Sequence, residues 1–204
     1  MRLTHHILKS ISAIFHPIIM PIAGVIFYFA KTPRFIDNQV IWAKLTSLTI
    51  LTIILPILSY FLLKTLGYVN SIDLKSTKER IIPLILNAIV VILVTQRILR
   101  PDPYIELYYF FIGILISTLA CLILTFFKFK ASIHMIAISG VFMFFIALSI
   151  HFSININGTL ALMSIISGAI ATSRLHLKAH TYPELIMGVV VGVFPQLILV
   201  TNWL

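Results

Sequence analysis

The fold class follows from residues 107–127, which read LYYFFIGILISTLACLILTFF. This stretch is twenty-one residues long and contains no charged side chain. A transmembrane helix needs about 20 mostly apolar residues to cross the hydrocarbon core of a bilayer. We therefore predict that residues 107–127 form a membrane-spanning helix.

Apolar stretches of similar length lie on both sides of this helix, separated by short loops that contain proline, glycine and asparagine. The first stretch carries His16, Pro17 and Pro21, so we predict a kinked helix there. Arg2 and Lys9 precede it as in a signal peptide, but no clear cleavage site follows, so we expect it to be retained. The first and sixth stretches have the weakest pattern, and a protein with six spans is the alternative. In all we predict seven spans, at residues 11–30, 45–63, 81–99, 107–127, 133–152, 159–173 and 185–203.

The composition of the whole chain is that of a membrane protein. It is 60% hydrophobic and 10% charged, with a mean hydropathy of +1.08. A soluble domain is about 45–50% apolar and about 25% charged, so a soluble enzyme is excluded. The single cysteine, Cys121, excludes a disulfide scaffold. We predict an all-α, polytopic transmembrane helix bundle that forms one domain over residues 1–204.

The net charge of +9 comes from fifteen Lys and Arg residues against six Asp and Glu residues. Basic loops are normal in membrane proteins, so this charge does not indicate a nucleic-acid partner. Anionic head groups of membrane lipids, or phosphate esters, are the partners expected. The isoleucine-rich, lysine-biased composition favours a bacterial inner membrane.

Polar residues gather in three clusters, at residues 73–80, 128–134 and 173–184. Polar groups are costly inside a membrane protein, so their placement is informative. Each cluster precedes an odd-numbered span, which predicts that all three lie on the same side of the membrane. Each also lies at a predicted helix N-terminus, and the residues expected to cap these helices are Ser76 with Glu79, Ser132, and Thr181 with Glu184.

Helix N-termini present unpaired backbone N–H groups and the positive end of the helix dipole. Three such ends that carry Lys, Arg and His side chains predict an anion site. Phosphate is the anion favoured, because arginine can bind it with two parallel hydrogen bonds. For the first cluster the alternative is topology bias, since Lys and Arg flank most membrane helices. For His134 the alternative is a lone polar packing residue.

A metal site is another interpretation of the third cluster. His176, His180 and Glu184 are spaced i, i+4, i+8, and on an uninterrupted helix they would share one face. Pro183 and the Thr181 cap favour a helix that starts here instead, which would separate the three side chains. We interpret the remaining histidines as terminal or interfacial residues outside any cluster: His5, His6, His16 and His151.

The third cluster also resembles a known signature. Ser173-Arg174, five residues, His180, three residues and Glu184 is similar to the last signature of the type 2 phosphatidic acid phosphatase superfamily, which ends in Asp. The spacing Gly188-Val-Val-Val-Gly192 is similar to the small-residue spacing that tends to follow it, and it suits close helix packing.

Two earlier signatures of that family have weaker counterparts. Residues 131–134, Ala-Ser-Ile-His, resemble the family's Pro-Ser-Gly-His, and they precede the last signature by roughly the family's spacing of 40 residues. The first signature, Lys, six residues, Arg-Pro, is altered here, because Lys75 and Lys78 precede Arg80, and Pro83 follows it. The phosphatase-like signatures thus lie within residues 75–184.

The resemblance implies a metal-independent lipid phosphatase that needs no cofactor. His180 would attack phosphorus to form a phosphohistidine, Glu184 would fix the tautomer of His180, and His134 would protonate the leaving alkoxide. Three departures bear on activity: Glu184 is one methylene longer than Asp, Ile133 replaces a glycine, and the altered first signature removes one expected phosphate contact. The phosphate-binding residues implied are Arg174, Arg80, Lys75, Lys78, Ser132 and Ser173.

The function expected is therefore hydrolysis of a lipid phosphomonoester or pyrophosphate. Phosphatidate, phosphatidylglycerol phosphate, polyprenyl pyrophosphate and lipid A phosphates are all candidate substrates. A catalytically inactive phospholipid-binding or lipid-transport protein of the same fold is one alternative. A structural membrane protein with basic loops is another. The sequence leaves open which membrane face carries the site.

Overall fold

The protein is described by a computed structural model over residues 2–72, 74 and 76–204. This part of the chain is 79% helical and has no strand. It contains seven segments that are long and apolar enough to cross a membrane, so the predicted all-α bundle with seven spans is confirmed. The spans are Thr4–Lys31, Asn38–Thr65, Thr77–Ile98, Ile105–Phe126, Ile133–His151, Asn157–His176 and Tyr182–Asn202.

Nine α-helices build these spans within the described residues, and we number them in chain order. They are α1 (Arg2–Ile14), α2 (Met20–Lys31), α3 (Asn38–Thr49), α4 (Leu55–Thr65), α5 (Thr77–Leu93), α6 (Ile105–Phe126), α7 (Ile133–His151), α8 (Asn157–His176) and α9 (Tyr182–Leu199).

The first span is broken between α1 and α2, as the prolines predicted. Pro17 lies in the break, and Pro21 lies in the first turn of α2, where a missing N–H is tolerated. The span begins at Thr4 rather than at the predicted residue 11. The reason is that α1 continues through polar residues and packs against α8, where Ser12 Oγ lies 2.7 Å from Ser173 Oγ.

Two spans contain a π-helical segment. Ile50–Ile54 joins α3 to α4, and Val94–Ile98 ends the span that α5 begins. A π-helical turn contains one residue more than an α-helical turn, so the side chains after it are rotated about the helix axis. Hydropathy carries no signal for such a shift, and these segments were not predicted.

The central helix is α7, which packs against α2, α6, α8 and α9. Its contact with α9 depends on glycines. A Cβ on Gly188 would lie 2.8 Å from the backbone oxygen of Ser132, and a Cβ on Gly192 would overlap Ser139 Oγ and the backbone oxygen of Ile136. The small-residue spacing therefore lets the backbones of α7 and α9 approach closely.

The end of the bundle at which α6 begins holds a buried carboxylate, Glu106, in the first turn of that helix. Arg34 binds both of its oxygens, at 2.5 and 2.8 Å. Tyr28 donates to it at 3.1 Å, and His151 Nε2 lies 3.1 Å from it. We call these four residues the Glu106 cluster. The interpretation of His151 as a residue outside any cluster was wrong, because its partner is distant in sequence.

Candidate functional site

The three predicted polar clusters meet at the other end of the bundle. Arg80, in the first turn of α5, donates from Nη1 to the backbone oxygen of Ala131 at 2.7 Å. Lys130 donates from Nζ to the backbone oxygen of Ala179 at 3.0 Å. The first cluster is thus tied to the second, and the second to the third.

Arg80 is held by the backbone around it. It is only 1% exposed, and its Nε donates to the backbone oxygen of Leu74 at 3.0 Å. Ser76 caps α5 by accepting a hydrogen bond from the N–H of Lys78. Glu79 accepts a hydrogen bond from the side chain of Asn70 rather than completing the predicted capping box. The guanidinium is therefore fixed in position at the start of α5.

His134 lies in the first turn of α7, which Ser132 caps. The Ser132 hydroxyl accepts from the N–H of Met135, and the Ser132 N–H donates to the backbone oxygen of Glu184 at 3.0 Å. His134 is buried, and its Nε2 lies 3.1 Å from the backbone oxygen of Ser12. Ser132 therefore joins the start of α7 to the start of α9.

Arg174 and His180 come from the corner between α8 and α9. Arg174 lies in the last turn of α8 and is 3% exposed. Lys178, with a φ of 51°, adopts the left-handed conformation that often follows a helix C-terminus. Because α8 ends at His176 and α9 begins at Tyr182, the continuous helix required by the metal interpretation is not formed.

His180 is oriented by Glu184. The capping box of Thr181 and Glu184 is present, and Glu184 Oε2 accepts from the N–H of Thr181 at 2.9 Å. The same oxygen lies 3.1 Å from Nδ1 of His180. An ionised carboxylate can only accept, so Nδ1 carries the proton and Nε2 carries the lone pair in the neutral ring. The longer arm of Glu relative to Asp does not prevent this contact.

The surroundings of His180 lower its pKa from the ordinary value of 6.5 to about 4. Burial is the largest cause, because a buried imidazolium loses its hydration. The positive charges of Arg80, Lys130 and Arg174 act in the same direction, and the hydrogen bond to Glu184 opposes them. His180 is therefore neutral at pH 7, with a lone pair on Nε2.

These side chains line one end of a cavity of about 440 Å³. Arg80, His134, Arg174 and His180 all contribute to its wall, and we call them the cationic end. They come from three different parts of the chain that the sequence predicted to lie together. Two arginines and a neutral histidine in one wall can bind an anion and present a nucleophile to it.

The rest of the cavity is mostly apolar and lies between α2, α4, α5, α6 and α7. Asn87 and Thr118 are exceptions, and Asn87 Nδ2 donates to Thr118 Oγ1 at 3.0 Å. On α4 and in the segment before α5, the lining includes Ile57, Phe61 and Ile72, which are exposed. We call these three residues the rim.

The other predicted phosphate-binding residues lie elsewhere. Lys75 is outside the described residues. Lys78 is exposed, and Ser132 is buried as the cap of α7. Ser173 is buried against α1, where its hydroxyl donates to the backbone oxygen of Leu8 at 2.6 Å. Among the described residues, the cavity wall includes neither Lys78 nor these two serines.

His16 is a cavity residue that the sequence interpretation missed. It lies in the break between α1 and α2, and its ring centroid is 5.4 Å from that of His134. It lines the cavity next to the cationic end, so its interpretation as an interfacial residue outside any cluster was wrong. The break itself was the available signal, because a histidine inside a membrane span needs a polar neighbour.

Comparisons with protein-family models, with curated proteins and with solved structures found no match for this chain. The class of the protein therefore follows from its own structure. It is an integral membrane protein, an all-α polytopic bundle with a buried, positively charged cavity end.

Proposed function

We propose that this protein is a metal-independent lipid-phosphate phosphatase that works through a phosphohistidine. We further propose that it is a divergent member of the type 2 phosphatidic acid phosphatase superfamily, in a bacterial inner membrane. One observation carries the proposal: His180, oriented by Glu184, shares a cavity wall with two buried arginines.

The charge of the cationic end supports a phosphate ester as the ligand. Arg80 and Arg174 are almost fully buried and share one cavity wall with His180, and the guanidinium group of arginine keeps its positive charge in proteins. A phosphate group offers three oxygens in the geometry that guanidinium groups bind. The apolar remainder of the cavity suits the hydrocarbon part of the same molecule.

The state of His180 supports nucleophilic attack. Its Nε2 lone pair would form a P–N bond while the ester P–O bond breaks, and the electron pair of that bond would leave with the alkoxide oxygen. The buried arginines would stabilise the negative charge on the phosphoryl oxygens in the transition state. A histidine at the cationic end, His134 by the resemblance, would give the alkoxide its proton.

A water molecule would complete the turnover. Its oxygen would attack phosphorus, one of its protons would return to the histidine that acted as acid, and the P–N bond would break. The electron pair of that bond would return to Nε2 of His180, and inorganic phosphate would leave. The residues of the site supply every charge needed for these steps, so the proposal involves no metal.

The test is phosphate release by the detergent-purified protein from a panel of lipid phosphates with chelator present. We expect release from at least one of them, and we expect His180→Ala to reduce it to background. His176→Ala is the matched control, because His176 is an exposed histidine in the last turn of α8 and should leave release unchanged.

A second measurement looks for the covalent intermediate. Brief reaction with ³²P-labelled substrate should leave label on the wild-type protein that is stable to base and lost in acid, as expected for a phosphohistidine. Release equal in wild type and His180→Ala, or no release across the panel, would refute the proposal. The second result would favour the phospholipid-binding alternative.

A further inference from the structure

The depth of the cavity can be read from the helices that line it. On α5 the lining residues extend from Arg80 to Val91, and on α6 they extend from Cys121 to Phe110. Both segments contain twelve residues and therefore eleven steps along the helix, which correspond to about 16 Å at about 1.5 Å per residue. The hydrocarbon core of a bilayer is about 30 Å thick, so the cavity ends near the bilayer midplane.

Aromatic side chains close the far end of the cavity. Phe110 and Phe111 are 1% and 0% exposed. The ring of Phe110 stacks on Phe144 with 4.2 Å between centroids, and Phe144 contacts Trp203 beyond it. Gln196 also lines this end, and its Nε2 donates to the backbone oxygen of Phe110 at 3.0 Å. We call Phe110 and Phe111 the floor of the cavity.

We infer that the cavity holds a single hydrocarbon chain long enough to span one membrane leaflet, with its phosphate at the cationic end. This inference rests on the proposed function and narrows its substrate class. Acyl lipids have chains that span one leaflet, whereas a polyprenyl chain is longer than the distance from the cationic end to the floor. A longer chain cannot extend past the floor and would have to turn back towards the rim, and we expect this to lower kcat/KM.

The experiment uses monoalkyl phosphates of increasing chain length as probes of this protein in nanodiscs. Phosphate release and the midpoint of thermal unfolding are both measured. We expect kcat/KM to be similar up to the chain length that reaches the floor. The reason is that each chain moves from the lipid of the nanodisc into an apolar cavity, so an added methylene changes the free energy of binding little. Beyond that length we expect kcat/KM to fall about tenfold or more.

Two substitutions should move this threshold in opposite directions. Ile114 lines the cavity one helical turn above the floor, about 4.5 Å nearer the cationic end, so Ile114→Phe should shorten the longest chain accepted. Phe111→Leu should lengthen it. Ile116→Phe is the matched control, because Ile116 lies on the same helix and is exposed on the outside of the bundle. Its threshold should equal that of the wild type.

The two readouts separate this inference from the proposed function. Without phosphate release from any probe, the proposed function fails, and the chain-length threshold is then read from the unfolding midpoint of the protein with each bound probe. A threshold that shifts in Ile114→Phe but not in Ile116→Phe supports the inference. No threshold, or equal thresholds in wild type and Ile114→Phe, would overturn it.

Discussion

Removing either partner of the Arg34–Glu106 pair should have unequal effects, because the two side chains differ in burial. The Glu106 side chain is 0% exposed, and that of Arg34 is 39% exposed. Arg34→Gln leaves a carboxylate buried with Tyr28 and His151, and an uncompensated buried charge costs about 3–5 kcal/mol. Glu106→Gln leaves a guanidinium that water can reach, so we expect only the loss of hydrogen bonds, about 1–2 kcal/mol.

These free energies correspond to measurable shifts in thermal unfolding of the purified protein at pH 7. At about 2–4 °C per kcal/mol for a chain of this size, the unfolding midpoint should fall by about 6–20 °C in Arg34→Gln and by about 2–8 °C in Glu106→Gln. Adding Glu106→Gln to Arg34→Gln should restore part of the loss. Arg97→Gln, which changes an exposed arginine, is the control and should have little effect. A Glu106→Gln shift as large as that of Arg34→Gln would refute the reasoning.

Three further predictions concern packing and pH. Gly192→Ala should destabilise the protein by about 1–3 kcal/mol, since its Cβ would overlap Ser139, whereas Gly168→Ala has open space and should stabilise α8 by about 0.5–1 kcal/mol in the same unfolding assay. Because the pKa of His180 is lowered to about 4, phosphoenzyme formation should persist below pH 6.5 and fall near pH 4; a fall centred on pH 6.5 would contradict this. In the unfolded chain His180 gains a proton near pH 6.5, but in the folded protein it does so only near pH 4. The free energy of unfolding should therefore decrease as the pH falls from about 6.5 to about 4. The decrease should be less steep in His180→Gln.

The spans and the N-cap residues Ser76, Ser132 and Thr181 could be predicted because each depends on the local sequence. Length and hydropathy identified seven spans, and two prolines identified the break in the first one. The Glu106 cluster could not be predicted in this way. Arg34 and Glu106 are 72 residues apart, and hydropathy does not show which helix faces meet.

The candidate site was likewise predictable only in part. The clusters were predicted to lie together because they precede alternate spans, and Arg80, His134, Arg174 and His180 do share one cavity wall. Ser173 precedes Arg174 directly, yet its side chain faces α1. Neighbouring residues on a helix are about 100° apart, since there are 3.6 residues per turn. A linear signature cannot show which of two such neighbours faces the cavity.

The exposed rim beside α4 has a consequence for any quantitative work on this protein. Ile57, Phe61 and Ile72 line the cavity and are exposed, and Ile57 and Phe61 lie within a membrane span, so we expect the cavity to open towards the surrounding bilayer. An apolar molecule that enters there arrives by diffusion in two dimensions. Occupancy then depends on the mole fraction of that molecule among the lipids or detergent, and the aqueous concentration is the wrong variable. Adding inert detergent at constant total ligand should empty the cavity by surface dilution.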